Sequence, residues 1–140
     1  MKIVTIDASA AASWLLPSQR TLRADAFIAD RVERRLIAPD VFAWEVGNLI
    51  AGRAARNLIN RDAALSTLEL LGVEVFEARD APTVLALIEP AVRSRLSLFD
   101  FAYLELALEQ GAALASRDQR LIDAARNEGV EVLDLRDAAA

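Results

Sequence analysis

The stretch Gly111-Ala112-Ala113-Leu114-Ala115-Ser116-Arg117-Asp118-Gln119-Arg120-Leu121-Ile122-Asp123-Ala124-Ala125-Arg126-Asn127-Glu128-Gly129-Val130-Glu131-Val132-Leu133 contains a whole strand–helix–strand unit. Residues 112–115 are a short apolar run. Residues 117–128 read as a helix, and Gly129 as its C-terminal cap. Residues 130–133 are a second β-rich run. The joint recurs upstream, where Gly72-Val73-Glu74-Val75-Phe76-Glu77-Ala78-Arg79-Asp80 echoes Gly129-Val130-Glu131-Val132-Leu133-Asp134-Leu135-Arg136-Asp137. Two copies do not make a solenoid; they are two similar helix–glycine–strand joints. Short strands alternating with helices imply a parallel sheet covered by helices, an α/β fold.

The other segments fit this reading. Residues 2–6 form a strand that ends at Asp7. Residues 8–16 are an alanine-rich helix stopped by Pro17. Residues 21–35 carry Leu22, Ala26, Ala29 and Val32 at helical spacing. After the short apolar run 36–38, Pro39-Asp40 opens a helix to about residue 57, proline being favoured just inside a helix start. Residues 61–71 form a helix capped by Gly72, and residues 73–76 a strand. Residues 81–95 are helical, ended or bent by Pro90. Residues 98–110 are a strongly apolar helix capped by Gly111. No stretch resembles a linker, so residues 1–140 read as one domain. Ligands of such sheets bind at the carboxyl ends of the strands, which decides where functional residues are sought.

Composition excludes several chemistries. The chain has 140 residues, 54% hydrophobic, enough to bury a core without disulfides or structural metal. It has no cysteine and no histidine. Thiolate metal sites, most zinc sites, Ser-His-Asp and Cys-His catalysis are therefore absent. Polar chemistry rests on carboxylates, hydroxyls, amides, one lysine and fifteen arginines. Asp7 interrupts what could pass for a secretion signal, and no apolar stretch is long enough to span a bilayer. The expected protein is soluble and cytoplasmic, with no membrane partner. The glycine spacing at Gly47-Asn48-Leu49-Ile50-Ala51-Gly52 lacks the lysine and hydroxyl of a phosphate-binding loop and lies inside a helix. No Gly-x-Gly-x-x-Gly, Asp-x-Asp or receiver-type acidic pair with a suitable lysine is present.

Four carboxylates remain. Asp7 ends the first strand, where it would serve a site or cap a helix. Glu45 lies among Phe42, Ala43, Trp44, Val46 and Leu49, where an ionised carboxylate needs a partner or an exposed edge. Asn48, one turn on, is placed to bond Glu45 or a ligand. Asp100 falls in the first turn of a helix apolar nearly all round, which should be central and buried. Asp118 follows the strand 112–115. There Ser116 and Gln119 have capping-box spacing, with Ser116 as the cap. Four carboxylates close together cannot all stay ionised without a cation, and without histidine or cysteine the fitting cation is hard: Mg²⁺ or Mn²⁺.

These pieces, in this order, resemble the PIN-domain ribonucleases, specifically the VapC-type toxins of prokaryotic toxin–antitoxin pairs. The first is Ile3-Val4-Thr5-Ile6-Asp7-Ala8-Ser9, and the second is Pro39 with Glu45 and Asn48. The third is Leu96-Ser97-Leu98-Phe99-Asp100-Phe101-Ala102-Tyr103. The fourth is Ser116-Arg117-Asp118 before a helix ending at Gly129-Val130. Ser116 stands where threonine is commoner, and Phe101 where alanine is usual. Asp123, five residues past Asp118, points elsewhere and is not assigned.

The resemblance implies a three-layer α/β/α sandwich and a Mg²⁺- or Mn²⁺-dependent endoribonuclease. Asp7, Glu45, Asp100 and Asp118 would hold one or two ions, and cleavage would leave a 5′-phosphate and a 3′-hydroxyl. Asn48, Ser116 and Arg117 would orient water, metal or phosphate. It further implies an RNA substrate, a cognate VapB-type antitoxin that lays a helix in an apolar groove, and a homodimer. Trp14, Leu15, Leu16 and Trp44 are candidates for that groove or, more simply, for the core.

An acidic chain, with a pI near 4.8, is at first sight a poor RNA ligand. Four of its five net negative charges would, however, belong to the site. Arg93, Arg95, Arg117 and Arg120 lie close in sequence to Asp100 and Asp118, as phosphate contacts or as solvated surface. Two other readings stay open: a catalytically silent binding module whose acids are caps and ion-pair partners, and a phosphatase or DNA nuclease using the same carboxylates.

Overall fold

The computed structural model describes residues 1–78 and 83–137. Its five strands are β1 (Lys2–Ile6), β2 (Arg34–Pro39), β3 (Glu74–Phe76), β4 (Ala113–Ser116) and β5 (Val132–Asp134). All pair in parallel, in the order β3-β2-β1-β4-β5. Seven α-helices cover the sheet: α1 (Ala8–Leu15), α2 (Leu22–Ala29), α3 (Val41–Ala55), α4 (Arg61–Leu71), α5 (Val84–Ser94), α6 (Leu98–Gln110) and α7 (Gln119–Asn127). The architecture is the three-layer α/β/α sandwich expected from the sequence.

The order of strands decides where a site can form. From β1 the chain moves outward through β2 to β3, then returns to the other side of β1 for β4 and β5. Right-handed crossovers send the connections on the two sides of β1 to opposite faces, so the chain diverges above the carboxyl ends of β1 and β4. Asp7 directly follows β1, and Ser116 ends β4. Val4, Thr5, Ile6, Leu114, Ala115 and Ser116 are fully buried, so this crevice has a rigid floor.

Several boundaries differ from the sequence reading. The helix expected over residues 21–35 ends at Ala29, and β2 begins at Arg34. The charges of Arg34 and Arg35 mask a strand start. The Arg34 guanidinium lies 4.3 Å over the Phe27 ring, and Arg35 bonds Glu74 on β3, so both stems pack while their charges are met. Pro39 closes β2 rather than opening a helix; it lies beyond Ile37, the last residue paired with β1. The start of the helix expected over residues 81–95 falls outside the described residues, and Pro90 sits inside α5 without ending it.

Ser116 belongs to β4, not to a capping box. Asp118 is the cap of α7 and accepts from the Leu121 amide at 3.1 Å. The last strand begins at Val132 rather than residue 130. Helix α6 is not wholly buried: Leu98, Phe99 and Leu108 face solvent. Leu15 and Leu16 are core, and Trp14 stacks on Phe27 with its indole N–H bonded to the Ala24 carbonyl. Trp44 is 81% exposed, so the four residues do not line one groove.

Candidate active site

Each of the four carboxylates is brought to the crevice by a different element. Asp7 caps α1, its Oδ1 accepting from the Ala10 amide at 2.8 Å. Three alanines behind it, Ala10, Ala11 and Ala12, are buried and let α1 lie close to its neighbours. Glu45 projects from the flank of α3, whose Phe42, Val46 and Ile50 anchor the helix in the core. Asp100 sits in the first turn of α6, its amide donating to the capping Ser97 hydroxyl at 3.1 Å. Asp118 caps α7. Three of the four thus stand at helix N-termini, where the backbone dipole favours an anion.

Asp7 is the most enclosed, only 3% exposed. Ser9 Oγ donates to its two oxygens at 2.8 and 2.9 Å, and Ser116 Oγ donates to Oδ2 at 2.5 Å. These hydroxyls also accept: Ser9 from the Arg117 amide and Ser116 from the Asp118 amide, each at 2.9 Å. Two hydroxyls therefore tie the end of β1 to the β4–α7 turn and hold Asp7 and Asp118 on one frame. Burial pushes the Asp7 carboxyl up from 3.8 to about 6. The Ser116, Ala10 and Ser9 bonds oppose that rise, and the Asp100 charge adds to it.

The other carboxylates are half-buried and electrostatically linked. Glu45 is raised by burial; a bond from the Tyr103 hydroxyl opposes this, and the Asp100 charge adds to it. Asp100 is raised by burial and by Asp118, and is lowered by Ser97 and Arg120. Asp100 is thus the hub, its charge acting with each of the other three.

Tyr103 lies one turn after Asp100, is 1% exposed, and donates to Glu45 Oε1 at 2.8 Å. Burial and the Glu45 bond hold its phenol far above the ordinary range, so it remains a donor. Sequence reasoning gave Ser9 and Tyr103 no role. The signals were present: a hydroxyl two residues after the strand-end acid, and a tyrosine three residues after Asp100 on the same helix face.

Of the other expected residues, Ser116 is in contact with Asp7. Asn48 is exposed and does not bond Glu45, whose partner is Tyr103. Arg117 donates from Nη1 to Gln19 Oε1 at 3.0 Å, and its buried Nε has no partner among the described residues.

Residues 4–127 match the family model described as PIN domain. The chain belongs to the PIN-domain family. Among solved structures, PAE2754 from Pyrobaculum aerophilum superposes on this PIN domain with a TM-score of 0.66 at 22% identity, covering 94% of this chain and 84% of that one. SSO1118, a PilT N-terminus domain protein from Sulfolobus solfataricus P2, gives 0.58 at 17%, covering 95% and 87%. FitAcB from Neisseria gonorrhoeae gives 0.54 at 20%, covering 92% and 95%. At such identities the likeness is one of fold. No curated protein matches the sequence.

PIN domains are generally metal-dependent nucleases, and the crevice fits a cation in its chemistry. Its donors are all oxygen, and two of the raised carboxyls, Asp7 and Glu45, both feel the Asp100 charge. A hard divalent ion suits that donor set. Among the described residues, no three acidic side chains stand close enough to ligate one ion as they are placed. Without a counter-charge the carboxylates repel, and a cation would draw them together.

The electrostatics give two expected outcomes. The Asp7 carboxyl is neutral more readily in the fold than in the unfolded chain. Its contribution to stability is therefore full below pH 3.8 and is lost as the pH rises through about 6. The rise corresponds to on the order of 3 kcal/mol at neutral pH. Without divalent ions, Asp7→Asn should melt above the parent at pH 7.5, with the gap closing toward pH 4. A variant melting lower at pH 7.5 would contradict the strain. Tyr103→Phe should weaken Mn²⁺ binding, read by titration calorimetry, about ten- to hundredfold, the usual cost of losing a partner that orients a ligand. Its melting temperature should fall only slightly, because half-exposed Glu45 regains water. Unchanged Mn²⁺ affinity would reduce Tyr103 to a packing residue.

Proposed function

We propose that this PIN domain is a VapC-type endoribonuclease, hydrolysing RNA phosphodiesters with Mg²⁺ or Mn²⁺ held by Asp7, Glu45, Asp100 and Asp118. The observation that carries the reading is the linkage of these four carboxylates through Asp100 at the divergence of the sheet. A silent module has no use for that arrangement. The caps Asp7 and Asp118 satisfy their helices, Glu45 satisfies the Tyr103 hydroxyl and Asp100 suits its helix start, but none of these separate roles requires all four acids to stand within reach of one another's charge.

Each side chain then has a role. Ser9 and Ser116 point the Asp7 oxygens; the single Ser9 proton serves one oxygen at a time, which leaves one lone pair for a cation. Tyr103 fixes one Glu45 oxygen and leaves the other free. When bound, the ion lowers the pKa of a water and shields charge on the phosphoryl oxygens. In-line attack would leave a 5′-phosphate and a 3′-hydroxyl. Arg117, next to Asp118 in the chain, would meet a phosphate oxygen.

As a toxin it would be neutralised by a VapB-type antitoxin. An apolar groove between α3 and α4, about 400 Å³ and lined by Val46, Ile50, Leu65 and Leu68 among others, offers a surface for the partner's helix. Homodimerisation and a cytoplasmic location belong to the same reading. Among the described residues no helix is long and apolar enough to cross a membrane.

Antitoxin-free protein should cleave single-stranded RNA with Mg²⁺ or Mn²⁺ and stop in EDTA. Asp7→Asn and Asp100→Asn should each lose at least about a hundredfold in rate, on the order expected when ligands to the ion are removed. Cleavage that persists equally in both variants would count against this site.

A further inference from the structure

A second, polar cleft lies between the elements that lead to Asp100 and follow Asp118. It encloses about 590 Å³ between the end of α5 and α7, lined by Ser94, Arg95, Leu96, Arg120, Asp123 and Asn127. Both walls lead into the site. Arg95-Leu96-Ser97 runs into α6, whose first turn carries Asp100, and Arg120 follows the cap Asp118 by two residues. The Arg120 charge acts on Asp100 directly.

Arg95 is backbone-strained. It has φ +59°, a left-handed conformation that L residues adopt at a steric cost. Helices α4 and α6 also end on left-handed residues, but theirs are Gly72 and Gly111, with φ +62° and +58°. Where glycine would relieve the backbone, this end has an arginine facing a cleft. Such an outlier is a pointer to function.

Among the described residues, neither Arg95 nor Arg120 makes an ion pair. The one acid on the cleft wall, Asp123, also faces Arg136 on the β5 side. The cleft therefore holds two guanidinium groups beside a cluster of anions. An acidic site that handles a polyanion needs positive charge of this kind close by, and guanidinium forks suit phosphate oxygens. Asn127 adds a neutral donor.

We propose that this cleft is a subsite for the phosphodiester backbone of single-stranded RNA, gripping the phosphate next to the one at the carboxylates. The proposal rests on the nuclease reading but is tested without cleavage. In an Asp100→Asn background, binding of a fluorescein-labelled mixed-sequence oligoribonucleotide is followed by anisotropy across salt, with the matching oligodeoxyribonucleotide as a second arm. The variants are Arg95→Gly, Arg120→Gln and, as a remote control of equal charge change, Arg61→Gln.

The expected result is several-fold weaker binding for Arg95→Gly and Arg120→Gln. The salt slope should become shallower by about 0.7 for each phosphate no longer neutralised, with no such change for Arg61→Gln. Arg95→Gly should melt no lower than its parent, so weaker binding could not be blamed on impaired folding. Equal weakening on DNA assigns the subsite to phosphate alone; weakening on RNA only adds recognition of the ribose. Equal weakening by all three variants, unchanged binding in the two cleft variants, or a parent that binds neither strand overturns the proposal. If the cleft variants weaken binding while the wild type cuts no RNA, the subsite stands and the nuclease reading fails.

Discussion

The carboxyl group of Asp7 lies almost out of water above the middle strand of a parallel sheet, and the arrangement around it follows from keeping it there. A buried carboxylate needs donors on every side that water has left. The amide of Ala10 supplies one because Asp7 caps α1, and the hydroxyls of Ser9 and Ser116 supply the rest. Those same hydroxyls accept from the Arg117 and Asp118 amides, so satisfying Asp7 also fixes the turn that presents Asp118. Strand order does the remainder, since the chain divides above β1 and β4 and leaves a crevice there.

Satisfying hydrogen bonds does not remove the electrostatic tension. Asp7 remains raised to about 6, and Glu45 and Asp100 are raised with it. Natural folds keep such tension where function uses it. Here the side chains that hold the acids in place are neutral: Ser9, Ser97, Tyr103 and Ser116. Ser9, Tyr103 and Ser116 donate to carboxylates without bringing charge, and Ser97 accepts from the Asp100 amide, so the negative charge stays available to a cation. Arg120 stands further out and acts on Asp100 from a neighbouring cleft.

Much of this was legible in the sequence because local rules and the fold agree. The glycines at 72, 111 and 129 adopt the positive φ that helix–strand joints need, and α6 runs from Leu98 to Gln110 as its spacing suggests. The carboxylates stood out because apolar neighbours make an acid conspicuous. What the sequence hid was set by distant partners. Arg34 and Arg35 read as helix surface because Phe27 and Glu74, which make them strand residues, lie elsewhere in the chain. Ser116 read as a cap because its true acceptor, Asp7, is 109 positions away. Tyr103 gave no hint of Glu45, 58 residues earlier. Trp44 was expected more in the core than at the surface, yet α3 turns it outward beside buried Phe42 and Val46.

If these carboxylates form one cation site, their charge strains the metal-free fold, and thermal melting at pH 7.5 with Mn²⁺ titrated from none to millimolar reads that strain. An ion that binds only the folded state raises the melting temperature with concentration. A saturating rise is expected in the wild type and little or none in Asp100→Asn, where the hub of the cluster is neutral. No rise in the wild type, or the same rise in both proteins, would contradict it.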